Sequence, residues 1–144
     1  MRILALDIET SFLVSGHWSI WGANIGIDQI FEGGETICYA ARWVGEKEVV
    51  WRRKGNKDFL TKIHELLNEA DVILTYNGRR FDLPLLNREF IKAGLAPPAP
   101  YKHIDLLETV KKQFKFPSNK LDYVCRELEI GQKVAHEGFK LWVK

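Results

Sequence analysis

The sequence predicts an α/β domain in which a mixed sheet is flanked by helices. Three observations carry this. Short apolar runs of strand length recur at 2–8, 36–44, 48–53 and 72–75. Between the last two, residues 58–70 return apolar side chains at helical spacing. The order along the chain is strand, hairpin, helix, strand, helix, strand, helices, which is the alternation of a layered α/β domain.

Each element has its local reason. RILALDI at 2–8 is a short apolar run. TICYAARWV at 36–44 and EVVWRR at 48–53 are joined by the turn-like Gly45-Glu46-Lys47, so they read as a hairpin. Asn56 or Lys57 opens a helix over 58–70, whose apolar set is Phe59, Leu60, Ile63, Leu66, Leu67 and Ala70. VILT at 72–75 is a buried strand, and Tyr76-Asn77-Gly78 a turn. A second helix covers 83–93 and stops at Gly94, with Pro97 and Pro98 beyond. KHID at 102–105 is a short strand and 106–114 a helix. Pro117-Ser118-Asn119 breaks the pattern before a helix at 121–128, for which Ser118 or Asn119 is the expected N-cap. Two stretches have no clean period. Residues 12–34 hold Trp18, Trp21 and five glycines and read as a long irregular excursion with room for a turn of helix; residues 131–144 are indistinct.

Composition narrows the class. The 144 residues fit one domain, and 46% hydrophobic content with 12% aromatics can fill a core. Charged residues of both signs make up 28%, which is the composition of a soluble globular chain. No apolar run approaches the roughly 20 residues of a membrane span, and the start lacks the pattern of a secretory leader. Cys38 and Cys125 belong to no metal or redox motif and read as ordinary near-core thiols in a reducing compartment. The net charge of +2 does not by itself announce a nucleic-acid binder.

The chemistry gathers at two places. Asp7 and Glu9 sit two apart at the end of the first strand, so both point to one face. Carboxylates that close repel, and a buried face makes them costly unless a cation compensates. A divalent metal is one explanation, since Mg²⁺ takes oxygen ligands and needs only one or two carboxylates per ion. The plainer one is that the strand ends near Asp7 and both acids lie in water, with Thr10-Ser11 as a turn. The second place is VILTYNGRRFDLPLL at 72–86. Here a strand ends in Asn77-Gly78, and Asp82 stands at the start of a helix. Strand ends in open α/β sheets are where ligands collect. Gly78 permits close backbone approach, Asn77 carries a donor and an acceptor, and Phe81 could stack on a base. Asp82 could equally be a helix cap and Phe81 a core ring.

LDIET at 6–10, followed by YNGRRFDLPLL at 76–86, resembles the first and second motifs of the DEDD 3′–5′ exonucleases of the ribonuclease H-like superfamily. WSIWGANIGIDQIFEGGETICYAARWVGEK and PYKHIDLLETVKKQFKFPSNKLDYVCRELEIG also resemble phage and bacterial proteins of that group, so the likeness covers nearly the whole chain. It implies a ribonuclease H-like mixed sheet, with three antiparallel N-terminal strands followed by parallel ones. It implies Asp7, Glu9 and Asp82 as catalytic carboxylates and metal ligands for two Mg²⁺ or Mn²⁺ ions. It implies Thr10 and Asn77 as contacts to a terminal nucleotide, and a nucleic acid, most simply DNA, as substrate. Within the second motif, Gly78, Arg79 and Phe81 are further candidates for substrate contact, Arg79 and Arg80 toward phosphate. The setting implied is the cytoplasm of a bacterial or phage-infected cell, with no membrane.

The family's third motif, a late aspartate preceded by Tyr or His, has no match. After Asp122 there is no aspartate; Tyr123 with Glu127 is the nearest imitation, and Leu141 stands where His136 would need one. A domain shortened at its C-terminal end accounts for this. Asp105, Glu127 or Glu137 could otherwise supply a fourth ligand, or the fold could survive as a weakly active or inactive nucleic-acid-binding module. A nuclease acting on RNA or structured DNA is a further alternative. Asp105 is weighed as a helix cap ahead of a ligand. His17, His64 and His103 have no metal spacing, and His64 reads as an exposed or boundary residue. Trp18, Trp21, Trp43 and Trp51 are expected in core or hairpin packing, with Trp18 and Trp21 able instead to flank a substrate groove.

Overall fold

Alternation along the first strand decides the layering. In the computed structural model, which describes residues 1–143, β1 (Ile3–Thr10) buries Leu4, Leu6 and Ile8 and turns Asp7 and Glu9 outward. β1 is the middle of a five-stranded sheet with order β5-β4-β1-β6-β7. β4 (Thr36–Trp43) pairs antiparallel with β1, and β5 (Val50–Arg53) antiparallel with β4. β6 (Val72–Thr75) and β7 (Lys102–Asp105) continue the other side in parallel. The expected mixed sheet, three antiparallel strands and then parallel ones, is the sheet observed.

The even-numbered face of β1 carries the core. Leu4, Leu6 and Ile8 pack with Tyr39, Ala41 and Ile73 of the sheet and with two helices laid over it. These are α1 (Phe59–Glu69), contributing Ile63, Leu66 and Leu67, and α2 (Asp82–Lys92), contributing Leu83, Leu86 and Phe90. Each of these side chains stabilises the fold by about 1.5–3 kcal/mol through removal from water. The Tyr39 hydroxyl donates to the Phe59 carbonyl at 2.9 Å and ties the first turn of α1 to the sheet. α2 ends as its Gly-then-Pro sequence predicts: the Leu95 N–H reaches back to the Phe90 carbonyl at 2.9 Å across a left-handed Gly94.

α3 (Leu106–Gln113) follows β7 directly, and α4 (Leu121–Glu127) lies further on. Their buried residues, Val110 and Val124, lie outside the main cluster. The expected caps Ser118 and Asn119 are not used: Lys120 precedes α4 and makes no side-chain cap bond. The Asn119 carbonyl instead accepts from the Tyr76 hydroxyl at 2.6 Å, which fastens the start of α4 to the end of β6.

The excursion after β1 is more ordered than its sequence predicts. β2 (Val14–Ser15) and β3 (Ile30–Glu32) pair antiparallel, and a 3-10 turn at Ile27–Gln29 leads into β3. Gln29 closes the segment: its Nε2 donates to the Gly16 carbonyl at 2.9 Å and its Oε1 accepts from the Gly26 N–H at 2.7 Å. The core placement expected for the tryptophans fails here. Trp18 is 103% and Trp21 82% exposed, and Trp51 is exposed on the edge strand β5. Of these four, Trp43 packs against the core, under the Arg2 guanidinium at 3.8 Å from its ring.

Candidate active site

Three parallel strands, β1, β6 and β7, end on the same edge of the sheet, and each ends in polar residues. Strand order jumps at β1, whose neighbours come from distant parts of the chain, so a crevice opens beyond these ends. β1 runs further than β6. Its last pairing with β6 is Ala5 with Leu74, whereas its pairing with β4 continues to Thr10. The N–H of Ile8 lies beyond the last β6 partner, and the Asp82 carboxylate fills that position, accepting it at 3.0 Å.

Asp82 is therefore held by geometry at the point where β1 and β6 part. It is 2% exposed and is the first residue of α2. Its pKa is raised to about 6, by burial above all and in lesser part by the Asp7 charge, against the lowering effect of the Ile8 N–H. Asp7 and Glu9 stand on the solvent side of the strand. Both are open to water at the side chain, yet the surrounding protein displaces enough solvent to raise the Asp7 carboxyl above its usual range. Glu9 is raised by burial first and by Asp7 second, against the lowering effect of Lys133 and His136. A bulge follows immediately, between Glu9 and Thr10, and bends the strand end where Thr10 lies opposite Thr36.

A cleft of about 750 Å³ opens on this face, lined by Asp7, Glu9, Lys120, Asp122, Cys125 and Lys133 among others. Its far wall is the segment after α4. The Lys133 N–H donates to Asp122 at 2.7 Å, and the Phe139 ring meets Phe12 at a tilt, 5.5 Å between ring centres. Lys120, Lys133 and His136 were not legible as site residues. The last two lie in a stretch without period, and nothing in its spacing shows that the chain turns back toward β1.

The second-motif residues share one tight turn. Asn77 has φ 68°, one of two non-glycine residues in the left-handed region among the described residues. Its N–H donates to Asp105 Oδ1 at 2.7 Å, and the Arg79 N–H donates to Asp105 Oδ2 at 3.1 Å. Gly78 is buried, and its N–H donates to the Thr75 hydroxyl at 3.1 Å. A Cβ on Gly78 would stand 2.3 Å from that oxygen, so the strand's own Thr75 requires a glycine here. The Arg79 guanidinium pairs with Glu108 at 3.0 Å, and Phe81, two residues on, is 39% exposed. Asp105 also accepts the Leu107 N–H at 3.0 Å, which makes it the N-cap of α3. Three backbone donors thus occupy its two oxygens. Glu127 lies exposed on α4 against Tyr123.

Asp7 and Glu9 are thus adjacent on one wall, with Asp82 behind them and Asp105 turned into the neighbouring turn. Among the described residues no three His, Cys, Asp or Glu side chains form a group that could hold a metal ion as they stand. Among the same residues no helix is long and apolar enough to cross a membrane.

Comparison with known proteins agrees with this architecture. A family model described as RNase_H superfamily matches residues 4–140. A DNA polymerase of Pyrococcus glycovorans is 29% identical over 99% of this chain and 21% of its own length. A PolC-type DNA polymerase III of Ureaplasma parvum is 25% identical over 86% of this chain and 9% of its own. The structure of a family B DNA polymerase from the archaeon Pyrobaculum calidifontis superposes with a TM-score of 0.69 at 17% identity, covering 99% of this chain and 20% of that one. The chain spans about a fifth or less of the length of these relatives. By the family match over most of its length, together with the sheet order and helix placement, the chain belongs to the RNase H superfamily.

Proposed function

We propose that this chain is a metal-dependent 3′–5′ exonuclease domain that hydrolyses the terminal phosphodiester of DNA. The carrying observation is the set of three carboxylates, Asp7, Glu9 and Asp82, all raised in pKa by burial, with Asp7 adding to the cost at both of the others. Three acids crowded at one strand end, Asp82 buried and Asp7 and Glu9 partly desolvated, call for a compensating positive charge. The donors suit Mg²⁺ or Mn²⁺: they are hard oxygens, and an ion that keeps its waters needs only one or two of them at a time. Asp7, Glu9 and Asp82 would hold two such ions. Bound there, the ions supply Lewis-acid polarisation and neutralise charge that develops on the phosphate.

The remaining roles fall to the chain's own groups. In hydrolysis the oxygen of water bonds to phosphorus, the P–O3′ bond breaks, and the proton ends on the departing O3′. Asn77 and Thr10 would contact the terminal nucleotide, Gly78 would let the backbone come close to it, Arg79 and Arg80 would face its phosphate, and Phe81 a base face. That the relatives above are named DNA polymerases supports DNA as the nucleic acid. The reading takes residues 1–144 as one domain. A second reading is supported by the occupied oxygens of Asp105 and by the open grouping of the acids: a module that binds nucleic acid without cutting it.

The test uses 3′-labelled single- and double-stranded DNA with Mg²⁺, Mn²⁺ or EDTA. Metal-dependent release of mononucleotides that Asp7→Ala abolishes is the expected result. Binding without release selects the second reading. Full activity in Asp7→Ala overturns the site.

A further inference from the structure

We infer that Asp105 is a positioning residue for substrate: its carboxylate clasps the Asn77–Arg79 turn and so sets the surface that meets the nucleotide. This rests on the exonuclease reading and deepens it. The clasp is visible as three bonds that join two separate parts of the chain. Asp105 accepts from Leu107, two residues ahead, and from Asn77 and Arg79, 28 and 26 residues behind. A helix cap needs only the first. The other two hold a backbone that would not stay in place unaided. Asn77 is left-handed, a conformation that costs a non-glycine residue energy and persists only where its surroundings enforce it.

The clasp acts on named groups. With the two N–H donors fixed, the Asn77 side chain projects into solvent at the strand ends, and the Arg79 guanidinium is held beside α3, paired with Glu108. Asp105 itself is 4% exposed, so it works through the turn and not by touching the nucleotide. Thr75 supports the same turn from below. Its hydroxyl accepts the Gly78 N–H and is hydrogen-bonded to His103 at 2.8 Å. Asp82 follows within the same segment, and its own bond to Ile8 anchors it independently. The two carboxylates therefore divide the work. Loss of Asp105 should loosen the nucleotide contacts and leave the acids near β1 in place.

Asp105→Ser separates the clasp from the cap, because serine caps helices as well as aspartate does but is too short to span both donors of the turn. Asp105→Asn keeps one acceptor and sets an amide against the Arg79 N–H. The readouts are backbone amide spectra, the Kd of a 3′-hydroxyl oligodeoxynucleotide with Ca²⁺ in place of Mg²⁺, and kcat and KM with Mg²⁺. For Asp105→Ser we expect perturbed Asn77 and Arg79 amides with Leu107 retained. We expect Kd and KM to rise about tenfold and kcat to stay within about threefold, with Asp105→Asn intermediate. Unchanged Kd and KM in a folded Asp105→Ser overturn the inference. So does a collapse of kcat at constant KM, the pattern of a lost metal ligand. If Asp105→Ser does not fold, Asp105→Asn alone decides, by the same criteria. A wild-type chain that neither binds nor cleaves DNA overturns the exonuclease reading and the substrate role together. Wild-type activity with unaltered Asp105 variants overturns only the latter.

Discussion

Replacing Asp82 by asparagine should stabilise the metal-free protein at neutral pH and not at acid pH. The native state raises this carboxyl from 3.8 to about 6, chiefly by burial. The folded form therefore holds the proton more tightly than the unfolded chain does. Its stability falls as pH rises from about 4 to about 6 and stays lower above that. A rise of that size corresponds to about 3 kcal/mol at pH 8. The amide of the Asp82→Asn variant does not titrate, and its oxygen can still accept from Ile8. An amide NH₂ left without an acceptor there costs about 1–3 kcal/mol, but that cost is the same at every pH. The clean quantity is thus the difference in ΔTm, variant minus wild type, between pH 8 and pH 4 in EDTA. Because the unfolded carboxyl is already more than half ionised at pH 4, the difference between the two pH values is about 2.5 kcal/mol, which for a chain of this length corresponds to roughly 5–10 °C in the variant's favour at the higher pH. Added Mg²⁺ should then narrow the gap at pH 8 by stabilising wild type more than Asp82→Asn. Equal ΔTm at both pH values would refute the account of Asp82 as a desolvated, uncompensated acid.

Gly78→Ala should cost about 1–3 kcal/mol in urea denaturation, from overpacking against Thr75. Thr75→Ala should not rescue it, because the Thr75 Cβ itself would stand 2.4 Å from the new methyl. Tyr39→Phe should lower stability by about 1 kcal/mol, since it leaves the Phe59 carbonyl without its donor. In wild type the Tyr39 phenol, pushed up to about 12 by burial, should ionise later in an absorbance titration than a free tyrosine does. Trp18→Ala and Trp21→Ala should each leave the unfolding free energy from urea denaturation within about 0.5 kcal/mol of wild type, because both rings lie in solvent.

Period and punctuation carried most of the fold into view. The run 72–75 is the observed strand β6, and the spacing of Ile63, Leu66 and Leu67 marks the face α1 buries. The outward face shared by Asp7 and Glu9 follows from strand alternation alone, and so was legible. The cap role of Asp105 was legible too, since a cap is local. Its bonds to Asn77 and Arg79 were not, because they depend on β6 and β7 lying side by side in register, Thr75 against Asp105. The exposed tryptophans failed for a related reason. Aromatic content predicts burial only when an element presents the ring to a core, and the excursion at 12–34 has its own small sheet that turns Trp18 and Trp21 outward.

The strand ends also explain why acids of one type take two kinds of role. β6 and β7 stop together, so the polar groups at their ends, Thr75 and Asp105, meet orphan N–H donors of the next turn and are satisfied by them. β1 runs on past β6, and the space this leaves admits one carboxylate, Asp82, to the one backbone donor there. Asp7 and Glu9 project from the overhanging part of β1 across from β4, whose backbone groups are already paired with it. The described hydrogen bonds give neither carboxylate a donor from the turn, and Asp7 raises the cost of charge on both Glu9 and Asp82. A ladder that satisfies its own backbone leaves its side-chain acids to something from outside. On this edge of the sheet, strand length separates Asp105, whose oxygens are taken by the next turn, from Asp7 and Glu9, which meet no donor of that turn.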